Sequence, residues 1–482
     1  MPGTSSGGGA PWRGYGSSTA CSTITSPTMP PSSAGAWLPA SRPDMTSTQR
    51  QEPPGTPLDA PDFHDLGETD DTLDYMARAF RQLGDTYRVF APARASWIWV
   101  IRHPEDVKHV LVDNHRNYTK GVGIERVKLL LGDGIMTSEA DRWRRQRRMM
   151  QPAFHRRAVE QFTDVIRRSS DRMVARWETA AARGHAINLT ESMSEMALEI
   201  MLRAIFSDDL DRLVTDLQDN PFMVVARERR RDPKFAFDFR RLAAHVLELL
   251  QRRRESRPCR RDLLQALVDA TDAGSGRGMS GREIVDEVLT LVVAGHETTA
   301  STLCWAWWLI AQHPEVEARL WREHLAARRA DAGSFADLQS MPYTLQVLQE
   351  TMRLYPAGWM LTRRAIGPDR LGSCTVPPGA DVFLSPYFVH RHPGFWENPE
   401  RFDPDRFGMK RADRRHRFAY IPFGAGPRHC IGENFAVYEM MLHLQGAVRR
   451  VRLIPTEPGP VAMEARINLR PARDLYMRVE KR

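Results

Sequence analysis

Phe423-Gly424-Ala425-Gly426-Pro427-Arg428-His429-Cys430-Ile431-Gly432 carries more information than any other stretch of this chain. One cysteine sits in a glycine-rich loop that opens directly into an apolar, helix-forming run, Asn434 to Leu444. A helix start leaves its first backbone N–H groups unpaired and carries the positive end of the helix dipole. Both favour a thiolate over a thiol. The glycines let the loop take backbone angles closed to other residues and approach a flat macrocycle. A thiolate with N–H donors aimed at its sulfur suits axial ligation of haem iron. Arg428, two residues before the thiol, can reach a propionate.

Upstream, Ala294-Gly295-His296-Glu297-Thr298-Thr299 lies inside a long helical pattern from about Ser280 to Gln312, bounded by Gly281 and by His313-Pro314. Its apolar positions, among them Ile284, Val288, Leu291, Val292, Leu303, Trp305 and Trp308, surround most of the helix, which predicts a buried, central element. A glycine, an acid and two hydroxyls are poor choices for mid-helix. Such local inconsistency belongs to functional sites. Ala300 stands where a zinc-binding His-Glu-x-x-His motif needs its second histidine, so that chemistry is excluded.

The third motif is Glu350-Thr351-Met352-Arg353. Its two charges are i, i+3 on one helix and close enough to pair. Leu345, Val347, Leu348 and Leu354 flank it and Tyr355-Pro356 ends it, which predicts a buried pair rather than a surface one.

These three motifs, in this order, resemble those of the cytochrome P450 family. The decapeptide matches every fixed position of the family's Phe-x-x-Gly-x-x-x-Cys-x-Gly loop. The resemblance covers residues 62–482 and implies a mainly α fold with small β-sheets (α+β), with haem between a distal helix and the cysteine loop. It implies haem b with Cys430 as its axial ligand, and Phe423, Gly424, Arg428 and Gly432 around it. Thr298 is then the hydroxyl that helps deliver protons and Glu297 its acidic neighbour, while Ala294 and Gly295 leave room above the iron. Glu350 and Arg353 are expected to meet a second arginine in a buried ionic knot. Arg401 and Arg406 are eligible, and Arg406 is chosen because Pro404-Asp405-Arg406-Phe407 stands at the family-like distance before Cys430. Trp143 and Arg147, i, i+4 on a basic helix from Asp141 to Met150, resemble the family's propionate pair. Arg363 resembles its strand arginine, with Arg364 as the fallback. The expected pocket residues are Leu130, Leu131, Val293, Ala294, Trp359, Met360, Leu361 and Met463.

The activity implied is a haem-thiolate monooxygenase that inserts one oxygen atom from O2 into a C–H or C=C bond of a hydrophobic small molecule: terpenoid, polyketide-like or fatty-acyl. A non-oxygenating ligand-binding sensor and a peroxide-using enzyme of the same fold are the rivals, and the intact Glu297-Thr298 pair argues against both. No Gly-x-Gly-x-x-Gly accompanies the haem segment, so electrons are expected from separate proteins, an acidic ferredoxin or flavodoxin-like donor with its reductase. Arg144, Arg145 and Arg148, with Arg414, Arg415 and Arg417, are expected to form the positive face that receives this donor.

Composition sets the remaining bounds. Lys plus Arg number 68 against 60 Asp plus Glu, a net +8. The excess is scattered and no nucleic-acid motif accompanies it, so nucleic-acid binding is not expected. Five cysteines, Cys21, Cys259, Cys304, Cys374 and Cys430, without Cys-x-x-Cys spacing, argue against a disulfide framework and against zinc and fit a reducing cytoplasm; a monomer is expected. Residues 1–61 are rich in Gly, Ser, Thr and Pro and are expected to be disordered, with no membrane anchor and no signal core. Met29 or Met45 is an alternative start. Between 62 and 137 a helix from Thr72 to Gly84, a strand Ser96 to Ile101 and a short helix Ile124 to Leu131 are predicted, the rest of 114–137 being irregular. The 226–241 segment reads equally as mobile lid helices or as a helix edge on the core. Met360 to Ile366 and Asp381 to Ser385 read as strands, and 449–480 as terminal hairpins.

Overall fold

The computed structural model describes residues 64–227, 233–256, 260–327, 334–409 and 415–482. The first 61 residues, Cys21, Cys259, Arg414 and part of the 226–241 segment lie outside them. Contacts divide the chain after Gln49, and the described residues all belong to the unit Arg50–Arg482.

Its axis is the helix Gly281–Gln312, 32 residues long, or about 48 Å. Ser280 starts it with a reciprocal capping box to Glu283. The helix ends where Pro314 opens the next one, Pro314–Ala326. Apolar residues all round bury it on several sides. Gly295 receives Met201 of the Leu189–Phe206 helix. Trp305 stacks on Tyr355 with centroids 4.0 Å apart. Trp307 donates to His443 of the Glu433–Val448 helix at 2.9 Å. The central helix thereby touches both the helix that ends in Tyr355 and the helix that follows the cysteine.

Beside this helical core lies a mixed five-stranded sheet in the order Thr86–Ala91, Ser96–Ile101, Asp381–Leu384, Leu361–Ala365, Tyr118–Lys120. All its pairings are antiparallel except Ser96–Ile101 with Asp381–Leu384. The edge strand Tyr118–Lys120 corrects the expectation of irregular chain there: three residues are too short for an alternation to be read. Its register sets Lys120 opposite Arg363. Small hairpins complete the fold, Asp369–Leu371 with Cys374–Val376 and Met463–Ala465 with Leu469–Pro471. Ile187–Asn188, Tyr476–Lys481 and Val451–Pro455 form a further small sheet. Among the described residues no helix is long and apolar enough to cross a membrane.

Candidate active site

The cysteine loop is held from its own backbone outward. Gly424 and Gly426 have φ of +72° and +71°, the left-handed region that favours glycine. A Cβ on Gly426 would stand 1.9 Å from the carbonyl oxygen of Leu111, so the loop packs directly on the 109–113 turn. The Phe423 carbonyl accepts the Cys430 N–H at 2.9 Å. The Cys430 side of the loop then runs through Gly432 into the helix Glu433–Val448. Cys430 is accessible, yet protein surrounds it closely enough that burial pushes its thiol up. Accessible space therefore reaches this residue. Gly432 and Glu433 backbone N–H groups and the Arg147 cation do favour the thiolate, but desolvation outweighs them.

Ala294 is exposed although its helix is buried above and below, so accessible space also reaches the middle of the central helix. Thr298 Oγ1 donates to the Ala294 carbonyl at 2.8 Å, and Thr302 Oγ1 to the Thr298 carbonyl at 2.8 Å. Glu297 Oε2 accepts from Asn468 Nδ2 at 2.7 Å. Gly295 is a correction: the missing side chain makes room for Met201 on the neighbouring helix, where a Cβ would come within 2.1 Å of its methyl. One residue along an α-helix turns the side-chain direction by about 100°, so Gly295 cannot share the aspect of Ala294.

A second wall is cationic. Lys120 and Arg363 are cross-strand partners and Arg428 acts on both. Burial and repulsion by these arginines pull Lys120 down to about 7. Burial and Arg428 pull Arg363 down to about 10. Glu139 is the carboxylate that faces them: it accepts the Lys120 N–H at 2.8 Å and pairs with Arg428. Arg428 also donates to the Ser138 carbonyl at 2.8 Å and lies 4.1 Å over the ring of Trp143. Arg147 donates to the His429 carbonyl at 2.7 Å, beside the cysteine. Arg364 is engaged elsewhere, bidentate to Asp381 at 3.0 and 2.9 Å. Lys120, Glu139 and Asn468 escaped the sequence reading. Only the strand register reveals the first.

Glu350, Arg353 and Arg406 are brought together. Arg353 binds Glu350 through two bonds of 2.7 and 2.8 Å, both side chains fully buried. Arg406 Nε lies 3.3 Å from Glu350, while Arg401 is exposed and offers only its carbonyl, to Arg353 at 3.1 Å.

The expected pocket set divides. Val293, Leu130 and Met463 are partly buried against the main core, and Leu361 lies 3.9 Å from the Cβ position of Gly424. Met360 packs with the small lobe. Trp359 and Leu131 are corrections, being 1% and 3% exposed core residues. The Trp359 indole N–H is spent on the Arg466 carbonyl at 2.8 Å. The arginine face is corrected too. Arg415 is folded over Trp396 and Phe407, at 4.3 and 4.5 Å, and donates to the Arg406 carbonyl. Arg145 is held by Glu283 at 2.7 Å. Arg144, Arg148 and Arg417 remain exposed, Arg144 paired with Asp141 and Arg148 with Asp272 at 2.8 Å.

These residues fit an iron macrocycle with two anionic arms: a thiol at a helix start, and half-buried cations in excess of their carboxylates nearby. A different cluster, Asp85, His103 and His392, has ligand atoms within 4.8 Å of one another. Both imidazoles accept a backbone N–H at Nδ1. A metal-binding imidazole instead donates from its second nitrogen, and Arg102 already pairs with Asp85 at 2.7 Å. That cluster is a hydrogen-bonded corner of the lobe.

Comparison with known proteins follows the same lines. The family model for cytochrome P450 matches residues 62–228 and 224–473. Cyclooctatin synthase of Streptomyces melanosporofaciens is 36% identical over 374 residues, 74% of this chain and 80% of its own length. Cyclooctat-9-en-7-ol 5-monooxygenase of the same organism is 34% identical over 397 residues, 78% and 84% of the two chains. The crystal structure of the cytochrome P450DA heme domain has the same fold, with a TM-score of 0.78 at 24% identity over 86% of this chain and 93% of that one.

Proposed function

The chain belongs to the cytochrome P450 family and is a monooxygenase of that family; from this we propose that it oxygenates a C–H or C=C bond of a hydrophobic, terpenoid-type molecule, with electrons from a separate acidic ferredoxin or flavodoxin-like donor. Haem b, when bound, supplies the iron that activates dioxygen. Cys430 holds that iron as a thiolate, which the Gly432 and Glu433 N–H groups and Arg147 favour. Lys120, Arg147, Arg363 and Arg428 neutralise the propionates.

Thr298 Oγ1 holds a proton at the accessible turn of the central helix, and the Glu297 carboxylate, restrained by Asn468, renews it. Val293, Ala294, Leu130, Leu361 and Met463 give the substrate an apolar wall and keep water from it. The terpenoid reading draws on the relatives' names, cyclooctatin and cyclooctat-9-en-7-ol. The donor is placed at the exposed Arg144, Arg148 and Arg417, where positive charge steers an acidic partner.

The observation that carries this reading is an exposed cysteine, Cys430, whose thiol faces the Gly432 and Glu433 backbone N–H groups and the Arg147 cation. A screen of polycyclic hydrocarbons and oxygenated terpenoids for a spin-state change in the haem spectrum tests the substrate class. Turnover of a responding compound that depends on O2 and on a ferredoxin system supports the activity. Turnover with peroxide alone, and none with O2 and electrons, overturns it.

A further inference from the structure

The Glu350–Arg353 knot and the Cys430 loop meet at His390. This residue is fully buried at the end of the short helix Pro386–Val389. Its carbonyl accepts Arg353 Nη1 at 3.0 Å. Its ring nitrogen Nε2 accepts the backbone N–H of Ile421 at 2.8 Å. From there backbone and hydrogen bonds alternate. The Ile421 carbonyl accepts the Gly424 N–H at 3.0 Å, and the Phe423 carbonyl accepts the Cys430 N–H at 2.9 Å. One chain of partners therefore runs from the Glu350 carboxylate to the residue that bears the thiol.

The ring is suited to a fixed role. A nitrogen that accepts from an N–H carries its lone pair there, so the proton of the neutral imidazole sits on Nδ1. Burial, with Arg353 and Arg391 nearby, pulls His390 down to about 3, and Nε2 stays an acceptor over the whole working range of pH. The neighbouring residue is tethered independently. Tyr420 lies 5.2 Å from the His390 ring, and its hydroxyl donates to the Gln349 carbonyl at 2.9 Å. The approach to the cysteine loop is thus anchored twice to the Pro342–Leu354 helix, once through a tyrosine and once through His390.

We propose that His390 is a positioning residue for the Cys430 loop, transmitting the rigidity of the ionic knot to the N–H groups around the sulfur. It rests on the reading of Cys430 as the iron's ligand. The backbone carbonyl of residue 390 holds Arg353 whatever its side chain, so changing the ring keeps that tie to the knot while it releases the Ile421 N–H. N–H groups around a ligating sulfur tune the iron's potential, so a loosened loop must show in the electronic properties of the iron and not only in stability.

The test uses the haem-loaded enzyme as His390→Phe and His390→Gln. Three quantities are read: the midpoint potential, the position of the Soret band of the reduced carbon monoxide complex, and the lifetime of that band. His390→Phe is expected to shift the potential and to lose the thiolate-type band about fivefold faster than wild type, the effect of one buried donor left unpaired. The glutamine carbonyl can accept the Ile421 N–H, so His390→Gln is expected to restore both. A phenylalanine variant with wild-type potential and band lifetime overturns the proposal, as does a glutamine variant no better than it. If the phenylalanine variant takes up no haem, the glutamine variant decides: wild-type values support the proposal and a displaced potential with a short-lived band overturns it. A wild-type protein without the thiolate band would instead overturn the ligation reading beneath it.

Discussion

Lys120 and Arg363 stand opposite each other across paired strands, two half-buried cations with Arg428 repelling both. Such an arrangement is costly alone and favourable once an anion enters it. Lys120→Met is expected to speed haem loss on the order of tenfold, whereas Arg364→Met, whose guanidinium is committed to Asp381, leaves it unchanged. Transfer of haem to an apoglobin scavenger measures both rates. Equal rates for wild type and Lys120→Met would remove Lys120 from the propionate set.

Cys430→Ala is expected to abolish the red-shifted Soret band of the reduced carbon monoxide complex, since no other described cysteine is accessible. Survival of the band in the variant would refute the ligand assignment.

Thr298→Ala is expected to keep haem and substrate binding while diverting electrons from product to peroxide, about tenfold. Asn468→Ala, which removes one hydrogen bond to the Glu297 carboxylate, should divert fewer. The ratio of peroxide to product per electron consumed checks both, and coupling unchanged in Thr298→Ala would show that its hydroxyl serves only the Ala294 carbonyl.

Glu287, fully buried on the central helix, accepts the Ile135 N–H at 2.9 Å. Burial pushes it up to about 8, with Asp286 and Glu283 adding repulsion. The folded state therefore binds more protons than the unfolded one between the ordinary glutamate range and pH 8. Stability is fully present below that window and is lost as pH rises through it. Glu287→Gln should flatten this dependence and gain about 2–4 kcal/mol over wild type near pH 9. Urea unfolding from pH 5 to 9.5 reads it, and parallel curves for the two proteins would contradict it.

Glu350→Ala and Arg353→Ala should each cost about 3–5 kcal/mol by leaving a buried charge unpaired, and should leave little haem protein. Arg401→Ala, at an exposed side chain, is the control. Normal haem content in the first two would refute the structural role of the knot.

The legible parts of this molecule were those where unusual residue types sit together. The Cys430 loop combines a thiol, two left-handed glycines and a helix start in ten residues, and the central helix announces itself by apolar residues on every side and a Ser280 cap. What stayed hidden depends on pairings between distant segments. Lys120 is an ordinary lysine until a three-residue strand is registered against Arg363. Glu139 and Asn468 are single polar residues whose partners come from elsewhere in the chain. Trp359 was misplaced because an apolar residue after Pro356 says that it is buried, not which core takes it. Arg415 was misplaced because a run of arginines looks exposed until two aromatic rings are found beneath one of them. The thiolate-favouring donors at a helix start are visible in sequence, whereas the depth of protein that pushes the thiol up is not.

The contact of Gly426 with the Leu111 carbonyl has a consequence for recombination. It makes the cysteine loop and the 109–113 turn a single heritable unit, although most of the chain separates them. A chimera that imports the C-terminal part of a relative must bring a turn that leaves this space open, or import the turn as well. Crossovers that keep the two together should yield haem-binding offspring more often than those that part them, whatever the overall identity of the parents.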